Sequence, residues 1–453
     1  MVGIGAEQLT TGLPGLDETL RGLLPGDNVV LCVDSIEDYQ PFVDAYCASA
    51  MEQGRRLIYF RFARHPQLVP AGAGVEIHRL HPETGFERFL TETIDIIEAA
   101  GPGAFYVFDC LSDLAVDWYS DRMLANFFMI TCPFLYRLDT VTYFALLRHR
   151  HSTHAIDGIH QTAQVLLDIY RNKLDLYIHP LKVDQRYSPT MYMLHSWQGD
   201  EFRPVTSSAT ISEILTTTPQ PWLDFTIHRE GVWMRTFREA QEALDGIEHA
   251  KRPPEDAAFY YDRLLRMAVT RDDRFIRLAS MYFELSDLIG IVKRMIGTGL
   301  IGGKTLGMLL ARAILRHADA HWTERLEAHD SFYVGSDVFY TYLVQNGCWW
   351  LRRRMRKQDD LEGVLATARE ARERMMNGEF PTNIKHQFTE MLDYFGQSPV
   401  IVRSSSLLED NYGNAFSGKY QSVFCANQGT PSERLDAFMA AVRTVYASTM
   451  SDQ

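Results

Sequence analysis

Residues 402–424, VRSSSLLEDNYGNAFSGKYQSVF, constrain this chain more than any other stretch. The apolar run Val400, Ile401 and Val402 leads into Arg403 and three consecutive hydroxyls, Ser404, Ser405 and Ser406. The acidic pair Glu409 and Asp410 and two glycines, Gly413 and Gly418, follow. A strand that delivers a guanidinium and hydroxyls to a turn, with a glycine-bearing hairpin after it, suits a polyphosphate. The guanidinium forks onto phosphate oxygens, and hydroxyls and exposed backbone N–H groups fill in around it.

At 453 residues the chain is long enough for two or three domains with separate cores. Its hydrophobic share of 46% and charged share of 23% place it among ordinary globular proteins. The net charge of −13 argues against a nucleic-acid surface, which needs a concentrated basic patch. The densest basic run, Arg352 to Lys357, precedes the acidic Asp359, Asp360 and Glu362, and reads as a solvated helix face. Six scattered cysteines (Cys32, Cys47, Cys110, Cys132, Cys348 and Cys425) show neither a CxxC pair nor a zinc spacing. Most lie in apolar runs, which points to reduced, buried thiols in a cytoplasmic protein. The first ten residues lack a basic region followed by an apolar one, so no cleaved leader is expected. No apolar segment reaches the ~18 residues of a membrane span, so no membrane partner is expected.

Up to about residue 205, short apolar runs alternate with amphipathic segments. Strands are expected at 28–33, 56–62, 103–109, 140–147 and 173–181, with helices at 42–52, 87–100 and 156–167. That alternation predicts an α/β domain, a mostly parallel sheet with helices on both faces. Residues 206–290 open on a Ser/Thr/Pro-rich stretch and turn helical and charged at 237–250 and 254–269, with Pro253 and Pro254 as a break. They read as a helical connector. From about residue 291 a third unit begins, in which GTGLIGGK (297–304) leads into a helix at 305–316. Met308, Leu309 and Leu310 are expected in its core, as are Trp349 and Trp350.

Residues 11–20, TGLPGLDETL, followed by GLLPGDNVVLCV, resemble the entry of the RecA/KaiC-like ATPase domain over roughly the first two hundred residues. The resemblance includes a strand ending at Asp109, where the family carries its Walker B acid. It fails at the phosphate loop, whose amides and lysine hold phosphates in the family. Here residues 34–40 read DSIEDYQ, without glycine or lysine. Asp34, Glu37 and Asp38 stand where an anion would bind, each adding repulsion of about 1 kcal/mol. A degenerate domain that docks, senses or oligomerises is expected over 1–205, which leaves room for a homo-oligomer. Asp109 then reads as a strand-end carboxylate that caps a loop. His149, His151 and His154 fit no common zinc spacing and read as a polar loop.

Two segments of the third unit resemble the ATP-binding domain of pyruvate phosphate dikinase and phosphoenolpyruvate synthase. Gly302, Gly303 and Lys304, followed by TLGM, resemble its G-G-K-x-x-x-L-G-x-M opening in compressed form. Residues 402–424 resemble its V-R-S-S-x-x-x-E-D-x-x-x-x-S-F-A-G signature, and AVRTVYAS (441–448) resembles the helix that follows it. The resemblance covers about 297–452 and implies the N-terminal part of an α+β, ATP-grasp-like kinase unit over 291–453. It implies that Lys304 contacts ATP phosphates and that Arg403 forks onto the transferring phosphoryl group as the catalytic residue. Gly303, Gly413 and Gly418 would let backbone close on the phosphates, with Ser404, Ser405 and Ser417 as hydroxyl contacts. Glu409 and Asp410 would fix the loop. A GGK alone also serves as an ordinary turn before a helix.

ATP and Mg2+ are the implied cofactors. The adenine strand, the Mg2+ ligands, the phosphohistidine carrier and the phosphoenolpyruvate- or pyruvate-binding domain are expected beyond residue 453. No metal ligand is assigned within the chain. The expected activity is transfer of a phosphoryl group from ATP to that histidine. The alternative is a non-catalytic nucleotide sensor or scaffold built from two degenerate nucleotide folds.

Overall fold

The run NVVLCV forms β1 (Asn28–Val33) with every residue buried, as a strand covered on both faces requires. In the computed structural model β1 lies near the middle of a nine-stranded sheet with β2 (Leu57–Arg61), β3 (Val75–Arg79), β4 (Phe105–Phe108), β5 (Val141–Leu147), β6 (Val165–Asn172), β7 (Asp175–Val183), β8 (His195–Gln198) and β9 (Glu201–Pro204). The structure describes residues 9–72, 74–217, 230–249, 256–327, 330–405, 410–411, 414–415 and 420–450. Two compact units divide the chain, Met1–Val232 and Trp233–Gln453.

In the first unit the strand order is β3-β2-β4-β5-β1-β6-β7-β8-β9. The neighbours from β3 to β6 pair in parallel. Strands β7, β8 and β9 extend the sheet in antiparallel fashion. The helices are α1 (Pro14–Leu20), α2 (Gln40–Glu52), α3 (Phe86–Ala100), α4 (Ser112–Trp118), α5 (Asp121–Arg137), α6 (Thr153–Thr162) and α7 (Ser208–Thr217). Alternate strand residues serve opposite faces. Leu57, Tyr59 and Tyr143 pack with Phe42, Val43 and Tyr46 of α2. Phe108 and Phe144 stack at 4.7 Å and meet Phe127 and Phe128 of α5 on the other face.

One expectation needs correction, and three strands carry no signal in the sequence. The helix expected over 156–167 ends at Thr162, and Val165 opens β6. A short apolar run such as Val165, Leu166 and Leu167 has the same signature in a buried strand and a buried helix. Strand β3 (VEIHR) was not legible because it is a half-exposed edge strand with little apolar content. Strands β8 and β9 are four-residue pieces whose polar residues carry no periodic signal.

Asp109, fully buried just past β4, caps the end of β2. It accepts hydrogen bonds from the Phe62 and Ala63 N–H groups at 2.8 Å, from the Tyr59 hydroxyl, and from Arg61 at 2.5 Å. A buried carboxylate with this many donors is structurally committed. Asp109→Ala leaves Arg61 and two amides without their acceptor, and its expected cost is about 3–5 kcal/mol. A lower urea midpoint at unchanged slope would register it.

The second unit is mainly helical: α8 (Val232–Glu248), α9 (Asp256–Leu264), a π-turn (Leu265–Val269), α10 (Asp273–Tyr282), α11 (Leu285–Lys293), α12 (Gly303–Ala318), α13 (His321–Arg325), α14 (Ser336–Gln345), α15 (Cys348–Lys357), α16 (Leu361–Met376), α17 (Thr382–Phe395) and α18 (Pro431–Ala447). Strands β10 (Met295–Ile296) and β11 (Tyr333–Val334) pair in parallel. Strand β12 (Val400–Arg403) pairs antiparallel with β15 (Ser422–Cys425), and β13 (Asp410–Asn411) with β14 (Asn414–Ala415) between them. Val338, Tyr342, Ile384, Phe388, Phe438 and Val442 centre the core. Helix α18 starts with a capping box between Thr430 and Glu433 and lies against β12 and β15. On α12, Leu306 and Leu310 are buried but Met308 is 39% exposed, against the expectation that it is core. Trp349 is buried, and Arg354 of α15 pairs with Glu370 of α16 at 3.5 Å.

Candidate functional site

The loop 297–302 joins β10 to α12, and its last residue lies against the segment that follows β12. Gly302, the buried N-cap residue of α12, meets Ser405 so closely that a Cβ there would run into the Ser405 carbonyl oxygen and Oγ. No side chain caps the helix at Gly302. The first N–H groups of a helix have no acceptor within it, so Gly303, Lys304 and Thr305 present donors and a partial positive charge here. Helix starts of this kind accept anions.

Strand β12 ends at Arg403, paired with Ser422 of β15. Val400 and Val402 turn towards the core, whereas Ile401 and Arg403 are exposed on the other face beside Phe424. Among the described residues Arg403 takes part in no ion pair. Ser404 and Ser405 follow directly, and the buried Ser405 Oγ finds no hydrogen-bond partner among the described residues. The fold thus brings Gly302, the residue just before Gly303 and Lys304 in the first turn of α12, against Ser405, two residues after Arg403. Ser406, Glu409, Gly413, Ser417 and Gly418 lie outside the described residues. Asp410 pairs through its backbone with Ala415, so a hairpin does follow β12, and its strand β13 lies beside α12.

Sequence reasoning missed Asp337. It lies in the first turn of α14, is 1% exposed, and its Oδ1 accepts the Thr298 N–H at 2.8 Å. A glycine, a serine and an aspartate ahead of an apolar helix (335–337) were the available signal. Burial pushes the nearby Tyr446 hydroxyl well up, and the Asp337 charge adds to the shift.

In the first unit the segment at the phosphate-loop position is occupied by its own ion pairs. Arg148 forks onto Asp34, with its guanidinium 4.0 Å from the Tyr170 ring centre. Arg171 binds Asp38, which is 1% exposed. The expected repulsion from bare carboxylates is therefore corrected. Two of the three are neutralised, and the guanidiniums that could have held a phosphate are committed to them.

His151 also has a defined role. The Leu147 N–H donates to Ser112 Oγ at 2.8 Å, and Ser112 Oγ lies 2.7 Å from His151 Nε2. His151 Nδ1 lies 3.0 Å from Asp121 Oδ1, and the Ser152 N–H donates to Asp121 Oδ2 at 3.0 Å. In a neutral imidazole whose Nδ1–H donates to the Asp121 carboxylate, Nε2 accepts from the serine hydroxyl. The residue types are those of a nucleophilic triad. At 4%, 4% and 6% exposure, Ser112, His151 and Asp121 instead latch α4, α5 and the loop after β5 together. Burial raises all six thiols above their usual range, Cys47 and Cys110 to about 12. Among the described residues, no group of three or more His, Cys, Asp or Glu side chains could hold a metal ion. No described helix is long and apolar enough to cross a membrane.

Two substitutions test this geometry. Gly302→Ala forces Ser405 and α12 apart, at an expected cost of about 1–3 kcal/mol, measurable by thermal unfolding. Ser112→Ala leaves the Leu147 N–H and His151 Nε2 unpaired in the interior. Its expected cost is about 1–3 kcal/mol, seen as a lower denaturation midpoint.

Compared with known protein families, residues 298–453 match the model of the pyruvate phosphate dikinase AMP/ATP-binding domain. No curated protein matches the chain. The matched stretch spans the Gly302–Ser405 contact, Lys304 and Arg403, so the last third of the chain is similar to the nucleotide-binding domain of a dikinase-type phosphotransferase.

Proposed function

We propose that this chain is the ATP-binding portion of a phosphoenolpyruvate synthase or pyruvate phosphate dikinase-like phosphotransferase, which passes a phosphoryl group from ATP to a histidine on a carrier domain outside these 453 residues. The observation that carries this reading is the apposition of Gly302 and Ser405 within the stretch that matches the dikinase AMP/ATP-binding domain. It sets an uncapped helix start, a lysine in its first turn and the end of the arginine-bearing strand beside one another. In this reading residues 1–205 are a degenerate RecA/KaiC-like domain, 206–290 a helical connector, and 291–453 the N-terminal part of an ATP-grasp-like domain. Free, buried thiols and a need for ATP support a cytoplasmic location in this reading.

In-line phosphoryl transfer leaves little covalent work to the protein. Positioning and charge stabilisation supply the rate. The α12 N–H groups and Lys304 would anchor phosphate oxygens, Lys304 as a compact point charge. Arg403 would fork onto the oxygens of the moving phosphoryl group as their charge grows. Ser404 and Ser405 would donate hydroxyl hydrogens, and Gly413, Ser417 and Gly418 would complete the cover from the hairpin. Mg2+ carried on the triphosphate would supply charge neutralisation at the phosphates.

The paired carboxylates of residues 34–38 favour a second reading for the first unit, a docking or sensing domain without nucleotide. If it extends to the whole protein, the chain is a scaffold. Arg403→Ala separates the two, because Arg403 is exposed and unpaired among the described residues, so its removal should leave the unfolding temperature unchanged. The phosphotransferase reading expects ATP affinity to fall at least tenfold by calorimetry, about the loss of one charge-assisted hydrogen bond. An unchanged affinity supports the scaffold. Micromolar ATP binding that survives the Lys304→Ala, Arg403→Ala double variant would place a nucleotide site elsewhere in the chain.

A further inference from the structure

Loop 297–302 has no regular structure of its own, yet three separate elements hold its backbone. The Gly297 N–H donates to Gln387 Oε1 of α17 at 3.2 Å. The Thr298 N–H donates to Asp337 Oδ1 of α14 at 2.8 Å. The Ile301 N–H donates to the Ala268 carbonyl of the π-turn at 2.8 Å. Helix α14 closes on the loop through its backbone as well, with the Asp337 N–H 3.4 Å from the Thr298 carbonyl and the Gly335 N–H 2.8 Å from the Ile296 carbonyl.

We propose that Asp337 is a positioning residue for the ATP site: through the Thr298 N–H it holds loop 297–302 so that Gly302, at the start of the helix that carries Lys304, meets Ser405 two residues after Arg403. The inference rests on the nucleotide reading above and adds to it a residue outside the signature motifs. Among the three anchors Asp337 is the one supplied by a buried acidic side chain, 1% exposed. The carboxylate lies directly on the loop backbone. Gly297 has φ +77, and a Cβ there would run into Asp337 Oδ1 and Val338 Cγ2. A residue other than glycine would both strain this backbone and displace the anchor. The carboxylate also sits in the first turn of α14, where the helix dipole favours its charge. As an anion, Asp337 would repel a triphosphate at contact distance. Its influence on the nucleotide therefore passes through Thr298 and the loop.

The test compares the full chain with Asp337→Ala and Asp337→Asn by hydrogen exchange over residues 296–305 and by calorimetry with Mg·ATP. Asp337→Ala should raise exchange in that segment and weaken ATP binding about tenfold or more. Asp337→Asn keeps an oxygen acceptor for the Thr298 N–H, and should restore protection and most of the affinity. A general loss of structure would not show that rescue. Should Asp337→Ala fail to fold, the wild-type exchange decides: ATP must protect 296–305, and a nucleotide that binds without protecting it overturns the proposal. Equal ATP affinity in wild type and Asp337→Ala overturns the positioning role while leaving the nucleotide reading in place. A wild-type chain that binds no ATP overturns the nucleotide reading, and the proposal with it.

Discussion

The second unit depends on one close approach of backbone to backbone. Gly302 can sit against Ser405 because it has no side chain, and that contact lets the start of α12 lie beside the end of β12. Each half is weak alone. A helix start is a partial charge, and a two-stranded ribbon is marginal without support. The ribbon gains its support from α18 on one face, which leaves Ile401, Arg403 and Phe424 on the other. An arginine held on a backed strand loses less entropy on meeting an anion than one on a free loop.

The first unit handles charge in the opposite way. Its strands end, as in other parallel sheets, in loops where ligands commonly bind. Here those loops are satisfied internally: Asp34 by Arg148, Asp38 by Arg171, Asp109 by four donors, and Asp121 by His151 and a backbone amide. Buried charges must find partners, and these have found them within the chain. The two units therefore make different use of similar residue types. In the first unit Arg148 and Arg171 engage the carboxylates at the phosphate-loop position, whereas in the second Arg403 is left exposed.

Much of the first sheet was legible. Strands β1, β2, β4, β5 and β7 announced themselves as apolar runs between turns, and α2 and α3 as amphipathic stretches. Strand β3 was silent because an edge strand need not be apolar. The start of β6 reads as the end of a helix because residues 165–167, all buried, have no polar face to set a period. At the candidate site the motifs single out Arg403, Ser405, Gly303 and Lys304, and the fold sets Gly302 against Ser405. Asp337 was not legible, since its role depends on a neighbour thirty-nine positions away.

By itself the sequence determined the local chemistry: a strand carrying Arg403 into hydroxyls, a glycine pair opening a helix, and a loop after β1 without the residues that cradle a phosphate. These follow from residue type and short-range spacing. Only the tertiary structure decided that Gly302 touches Ser405 across a hundred residues, that Arg148 and Arg171 are already engaged, and that Asp337 ties down the glycine-rich loop. Such pairings are set by how whole helices and strands pack, and packing is a property of the complete fold that no short segment encodes.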